Sequence, residues 1–98
     1  MNNCIFSGYV YEKPELQMVD GVSYCNFSLL VNEERKGNKI ETIIDCEIWD
    51  SGAEAFVNLA NGGDEVFIES SARNTEFDEE EYVIFRVNKF KIIFGNNK

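Results

Sequence analysis

The chain has 98 residues, with nine basic against eighteen acidic side chains and no histidine, a net charge of −9. This length makes one domain, which buries roughly 60–70% of the surface its unfolded form exposes, and leaves no room for a second. No apolar run approaches the roughly 20 residues that cross a bilayer and the N-terminus has no basic leader region, so a cytoplasmic protein is expected.

The first strand is Cys4 to Tyr11, apolar and aromatic, with Gly8 at its middle, where a strand of a small barrel coils sharply or bulges. Glu12-Lys13-Pro14-Glu15-Leu16 breaks it, and Asp20-Gly21 is a turn signal leading into a second strand, Val22 to Val31. Within that strand Cys25, Phe27, Leu29 and Val31 alternate with Tyr24, Asn26, Ser28 and Leu30, so one face is buried. Asn32 to Ile40 is polar, holds Arg35, Lys36 and Lys39 around Gly37-Asn38, and reads as a hairpin tip or a longer loop. The third strand ends in Asp45-Cys46-Glu47-Ile48-Trp49. Alternation sets Ile44, Cys46 and Ile48 on a core face and Ile43, Asp45, Glu47 and the one Trp on the other. A displayed indole suits a nucleobase, and equally suits packing against a partner subunit or a loop.

Ala53, Phe56, Val57 and Ala60 recur at spacings of three and four, which predicts a short helix from Ser51 to Ala60 with Ser51 as N-cap and Glu54 as its capping-box partner. Asn61-Gly62-Gly63 stops it. Glu65 to Arg73 is the fourth strand, with Val66, Ile68, Ser70 and Ala72 inward and Phe67, Glu69, Ser71 and Arg73 outward. Asn74 to Glu81 carries five acidic residues and Phe77 and reads as a solvated loop. Tyr82 to Phe94 is the fifth strand, with Val83, Phe85 and Val87 alternating against Tyr82, Ile84 and Arg86, and with Phe90 and Ile92 extending an apolar face. One domain over residues 1–94 is expected, with 95–98 a short disordered end. Five strands with one short helix between the third and fourth is the element order of the OB-fold, an all-β Greek-key barrel.

Chemistry is constrained by what the chain lacks. Three cysteines, Cys4, Cys25 and Cys46, each lie in an apolar strand pattern, where a free thiol behaves as a small hydrophobe. Without histidine or a C-x-x-C pair they supply no zinc site. The carboxylates of Asp78-Glu79-Glu80-Glu81 point apart along a loop and do not converge on a cation. No nucleophile stands beside an evident base, so neither an enzyme nor a cofactor is expected. The acidic balance opposes a phosphate backbone, although binding depends on the local potential in a groove and not on the average.

With that element order in place, several local matches coincide: Met1-Asn2-Asn3 with Gly8 and Pro14-Glu15-Leu16, then Gly21, Phe27, Leu29 and Val31. Cys46-Glu47-Ile48-Trp49 followed by Ala53-Glu54, and Gly62-Gly63 followed by Val66, Ile68 and Glu69, continue the set. In this ordered series the chain resembles the bacterial and phage single-stranded DNA-binding protein family from Met1 to about Ile93. The resemblance implies stacking of bases on aromatic side chains, basic residues tracking phosphates, and a homo-oligomer, a tetramer sooner than a dimer. It implies protection of single strands in replication, recombination or repair. Carried onto this sequence, it assigns stacking to Trp49, Phe67, Phe77 and Tyr82 and a phosphate contact to Arg73. Arg35, Lys36 and Lys39 fall in the hairpin that in this family reaches over bound DNA, and Arg86 is an outward cation that either meets phosphate or pairs with Glu69.

Asp45 and Glu47 depart from the family pattern, because both carboxylates would repel a phosphate track. They favour a rival reading, an OB-fold protein-interaction module that has lost most DNA affinity. A third reading is a metal-dependent phosphate hydrolase using Asp45, Glu47 and Glu69. Cellular relatives carry an acidic tail after the barrel, and a chain ending at Lys98 fits a phage or mobile-element protein.

Overall fold

Three pairs of consecutive left-handed residues, Asp20-Gly21, Lys36-Gly37 and Asp78-Glu79, fold the chain back on itself. Positive φ at both central positions is the mark of the type I′ turn, whose twist matches that of the strands it joins. The computed structural model describes residues 1–95. Its elements are β1 (Cys4–Val10), β2 (Gln17–Val19), β3 (Val22–Arg35), β4 (Asn38–Trp49), α1 (Ser51–Leu59), β5 (Glu65–Phe77) and β6 (Glu80–Phe94).

The strands run β1-β5-β6-β4-β3-β2 across one sheet, and a second pairing of β1 with β3 closes five of them into a barrel. This is the expected OB-fold. The three-residue β2, too short for alternation to register, hydrogen-bonds β3 outside the barrel, so in chain order α1 lies between the fourth and fifth strands instead of the third and fourth. Every pairing is antiparallel except β4 with β6, which is parallel and confined to Cys46 opposite Phe85 and Glu47 opposite Arg86.

Closure depends on Gly8. At the seam Tyr9 pairs with Leu30 and Val10 with Leu29, and a Cβ on Gly8 would collide with the Leu30 carbonyl oxygen and stand 3.1 Å from Leu29 Cγ. Inside, Val10, Cys25, Leu29, Cys46, Val66 and Ile68 are wholly buried or nearly so. The apolar side of α1 plugs one end: Phe56 stacks on Phe27 with centroids 4.4 Å apart and meets Phe90 edge-on at 4.9 Å. Lys13 ties the other side of the helix down, its Nζ donating to the Val57 and Ala60 carbonyls at 2.9 and 2.8 Å, where a cation also suits the negative helix end.

Three local expectations change. The helix N-cap is Asp50, not Ser51, and its side chain makes no capping hydrogen bond; Glu54 instead accepts from the Ser23 hydroxyl at 2.7 Å, tying α1 to β3. Asn74 to Glu81 is not a loop, because β5 and β6 continue as a hairpin to Phe77 opposite Glu80, with the acidic residues gathered at its tip. Beyond Ser70 this hairpin leaves β1 behind, and only the Asn2 side chain follows, exchanging two 2.8 Å hydrogen bonds with the Ala72 backbone. There the apolar alternation no longer faces a core, so Val83 is exposed while its neighbour Ile84 is buried on the opposite face. Of the expected disordered end, 96–98 lie outside the described residues. Among the described residues no helix is long and apolar enough to cross a membrane.

Candidate nucleic-acid interface

Trp49 is the last residue of β4, set by the β3–β4 register directly opposite Tyr24. The two rings touch, with centroids 4.4 Å apart and planes tilted by 47°. Both are half-buried, and the indole Nε1 is turned inward, where it meets no acceptor among the described residues. The Arg86 guanidinium carbon lies 5.9 Å from the indole centroid, within cation–π range. Burial raises the Tyr24 hydroxyl pKa above its ordinary value, with the Glu47 carboxylate adding in the same direction; the Tyr82 hydroxyl also acts on it. Tyr24, Trp49, Arg86 and Tyr82 therefore share one part of the outer sheet.

Arg86 does not pair with Glu69. Its Nε donates to Glu47 Oε2 at 2.8 Å, and Glu47 is only 7% exposed, so this carboxylate is neutralised within the fold and does not project at a ligand. Glu69 stands elsewhere, between Ile5 and Lys89. Asp45, Glu47 and Glu69 are thus not brought together, and no group of three or more acidic or thiol side chains among the described residues is placed to hold a metal ion.

Because β4 and β6 pair over two residues only, they part below Trp49 and leave a cleft. One recess of about 450 Å³ is lined by Trp49, Asp50, Arg86, Val87 and Asn88. A second, of about 340 Å³, continues past Ile48 and Gly52 to Lys89 and Phe90. A third groove, of about 370 Å³, lies across β3 and β4 and is bordered by Tyr11, Glu12, Glu15 and Asp45. Its one cation, Lys13, is spent on the α1 carbonyls, so this groove is acidic and unsuited to phosphate; the Trp49 cleft is lined by Asp50, by Arg86, which is held by Glu47, and by Lys89.

The remaining residues singled out in the sequence are spread more widely. Arg35, Lys36 and Lys39 are exposed at the β3–β4 tip, with Lys39 opposite Glu34. Phe77 is 71% exposed at the other hairpin tip, and Tyr82 is exposed further down, opposite Thr75. Arg73 is exposed opposite the buried Ile84. Phe67 is half-buried between Ser7 and Lys91, on strand pairs away from those of Trp49. Tyr24 and Lys89 were not singled out. For Tyr24 a signal existed, because pairing is symmetric about a two-residue turn and a turn at Lys36-Gly37 places Tyr24 against Trp49. Lys89 had none, since a bulge after Val87 resets the alternation that would have set its face.

Cys25 and Cys46 are buried, which pushes their thiols up to about 11 and about 12, with Asp45 adding to the rise at Cys46. They remain protonated and belong to the core.

The barrel is shared with solved proteins. The SSB domain of a Synechococcus protein superposes with a TM-score of 0.75 at 18% identity, over 92% of this chain and 93% of that one. The wild-type single-stranded DNA-binding protein of Thermus aquaticus superposes with a TM-score of 0.85 at 14% identity, over 98% of this chain, which spans about half (52%) of that protein's length. At such identities the likeness is one of fold. No curated protein matches the chain in sequence. The model of the single-strand binding protein family, however, matches residues 1–94, the whole barrel from β1 to β6, and by that match the chain belongs to the single-strand binding protein family.

Proposed function

We propose that this protein binds single-stranded DNA without sequence preference and coats it, keeping transient single strands unpaired during replication, recombination or repair. The observation that carries the reading is the Trp49–Tyr24 pair, two half-buried rings in contact, with Trp49 lining a cleft, in a barrel of this family. A base stacked on an aromatic is worth about 1–3 kcal/mol by alanine substitution, so two or three platforms suffice for micromolar binding after association costs. Trp49 and Tyr24 form the central platform in this reading, with Tyr82 beside it and Phe67 and Phe77 as outlying contacts. Arg35, Lys36, Lys39 and Arg73 meet phosphates. The acidic groove bordered by Glu12, Glu15 and Asp45 steers the strand to the other side of β4. The protein acts by binding, without catalysis, as a cytoplasmic homo-oligomer, a tetramer sooner than a dimer.

The test is an oligo-dT titration at low salt, followed by the emission of the one Trp. Strong saturable quenching is expected. Full emission at high micromolar oligonucleotide would favour the interaction-module reading, for which the net charge of −9 speaks.

A further inference from the structure

We infer that Arg86 is a positioning residue for the Trp49 platform, latched by Glu47, and not a phosphate ligand. This rests on the DNA-binding reading above. Arg86 stands on an outward row of β6, where a cation in this family would be taken for a phosphate contact, but its surroundings assign it elsewhere. Glu47 is almost fully buried, and taking a carboxylate to that depth is costly without a charged or hydrogen-bonding partner. Arg86 is that partner, at 2.8 Å. The backbone sets the pair: Glu47 and Arg86 are opposed in the two-residue parallel ladder that joins β4 to β6. Arg86 holds Glu47 through Nε, and breaking that bond to swing the side chain to a phosphate would strand the Glu47 carboxylate, a loss that a single solvent-screened phosphate contact does not offset.

Held there, the guanidinium bears on the indole from 5.9 Å while Tyr24 bears on it from 4.4 Å. Trp49 ends its strand, and the next residue, Asp50, has the left-handed φ of 64° that turns the chain into α1. The indole is therefore held by side chains more than by sheet neighbours, and the Glu47–Arg86 latch together with Tyr24 keeps the ring in place before a base arrives. Pre-ordering of this kind lowers the entropy lost on binding.

The test compares wild type with Arg86→Gln and with the double variant Glu47→Gln/Arg86→Gln, in which two neutral amides keep a hydrogen bond and no charge is left unpaired. Each is read for acrylamide quenching of Trp49 in the free protein and for the salt dependence of oligo-dT binding. The expected result for Arg86→Gln is an indole at least about twice as accessible to acrylamide and oligo-dT binding weakened about tenfold, with an unchanged log–log salt slope, since a lost phosphate contact would make it shallower by about 0.7. The double variant, with no unpaired charge but also no guanidinium over the ring, should recover the stability lost in Arg86→Gln while its indole stays more accessible than in wild type. A slope shallower by about 0.7 in either variant, with acrylamide access as in wild type, would overturn the inference. If Arg86→Gln does not fold, the double variant decides alone: an unchanged slope with a more accessible indole supports the inference, and wild-type indole access or the shallower slope overturns it. If wild type binds no oligo-dT, the DNA reading fails by itself, and indole access in the free variants still supports or overturns the positioning role.

Discussion

The salt response of binding can be worked out from which cations are free. Of the basic side chains among the described residues, Lys13 is committed to the end of α1 and Arg86 to Glu47. The proposed phosphate contacts are then Arg35, Lys36, Lys39 and Arg73, all exposed. Each phosphate neutralised on a single strand contributes about −0.7 to the slope of log K against log salt, so four give about −2.8. Affinity should fall about 50-fold between 50 and 200 mM salt. Exposed Lys89 and Lys91, if they join, take the slope to about −4.2. The assay is a fluorescence titration at several salt concentrations with an oligo-dT short enough to occupy one barrel. A slope steeper than about −5, near a 1000-fold loss over that range, would need about seven phosphates, more than the uncommitted cations among the described residues, Arg35, Lys36, Lys39, Arg73, Lys89 and Lys91. It would refute both the commitment of Arg86 and the view that stacking carries the affinity.

Other outcomes follow from the packing. Gly8→Ala should force β1 from β3 at the barrel seam, costing about 1–3 kcal/mol as overpacking does and lowering the melting temperature by about 4–8 °C per kcal/mol in calorimetry; an unchanged melting temperature would mean that closure does not depend on that approach. Phe56→Ala removes the ring between Phe27 and Phe90 and should cost about 3–5 kcal/mol in urea unfolding, whereas a loss under about 1 kcal/mol would place the core elsewhere. Cys25 and Cys46 should resist alkylation at pH 8 in the folded protein, and their modification at the rate of an unfolded control would contradict their burial. Because folding raises both thiol pKa values above the ordinary 9.0, their contribution is complete below that pH and is lost as pH rises toward about 11 and about 12. Denaturant midpoints should accordingly fall from pH 8.5 to 10.5, and a Cys25→Ala/Cys46→Ala variant should lose part of that fall; an equal fall in both proteins would assign it to other groups.

The barrel was legible because its strands obey period two where they face a core: Cys25, Phe27 and Leu29 in β3 and Val66, Ile68 and Ser70 in β5 are buried as their alternation requires. Legibility ended where the core ended. The β5–β6 hairpin projects past β1, so nothing selects an apolar face there, and a carboxylate-rich tip with Asp78 and Glu79 in the left-handed region lacks the Asn-Gly that usually marks such a turn. Trp49 was placed on the correct face, but the state of its neighbours was not. Strand alternation aims the Glu47 charge at the ligand, whereas the parallel β4–β6 contact, which joins segments far apart in sequence, buries it against Arg86. A parallel register of two residues leaves no trace in either strand's pattern. The Tyr24 partnership was recoverable from turn symmetry, but only with the turn fixed at Lys36-Gly37; one centred on Gly37-Asn38 would have set Asn26 there instead.

The central claim is that a nucleobase reaches the Trp49–Tyr24 platform. Photocrosslinking with a thymidine oligonucleotide carrying 5-iodouracil, followed by mapping of the modified residue by mass spectrometry, tests it at the level of the side chain. The adduct is predicted on Trp49 or Tyr24. Efficient crosslinking confined to Tyr11 or Phe67, with both of those rings unmodified, would contradict it.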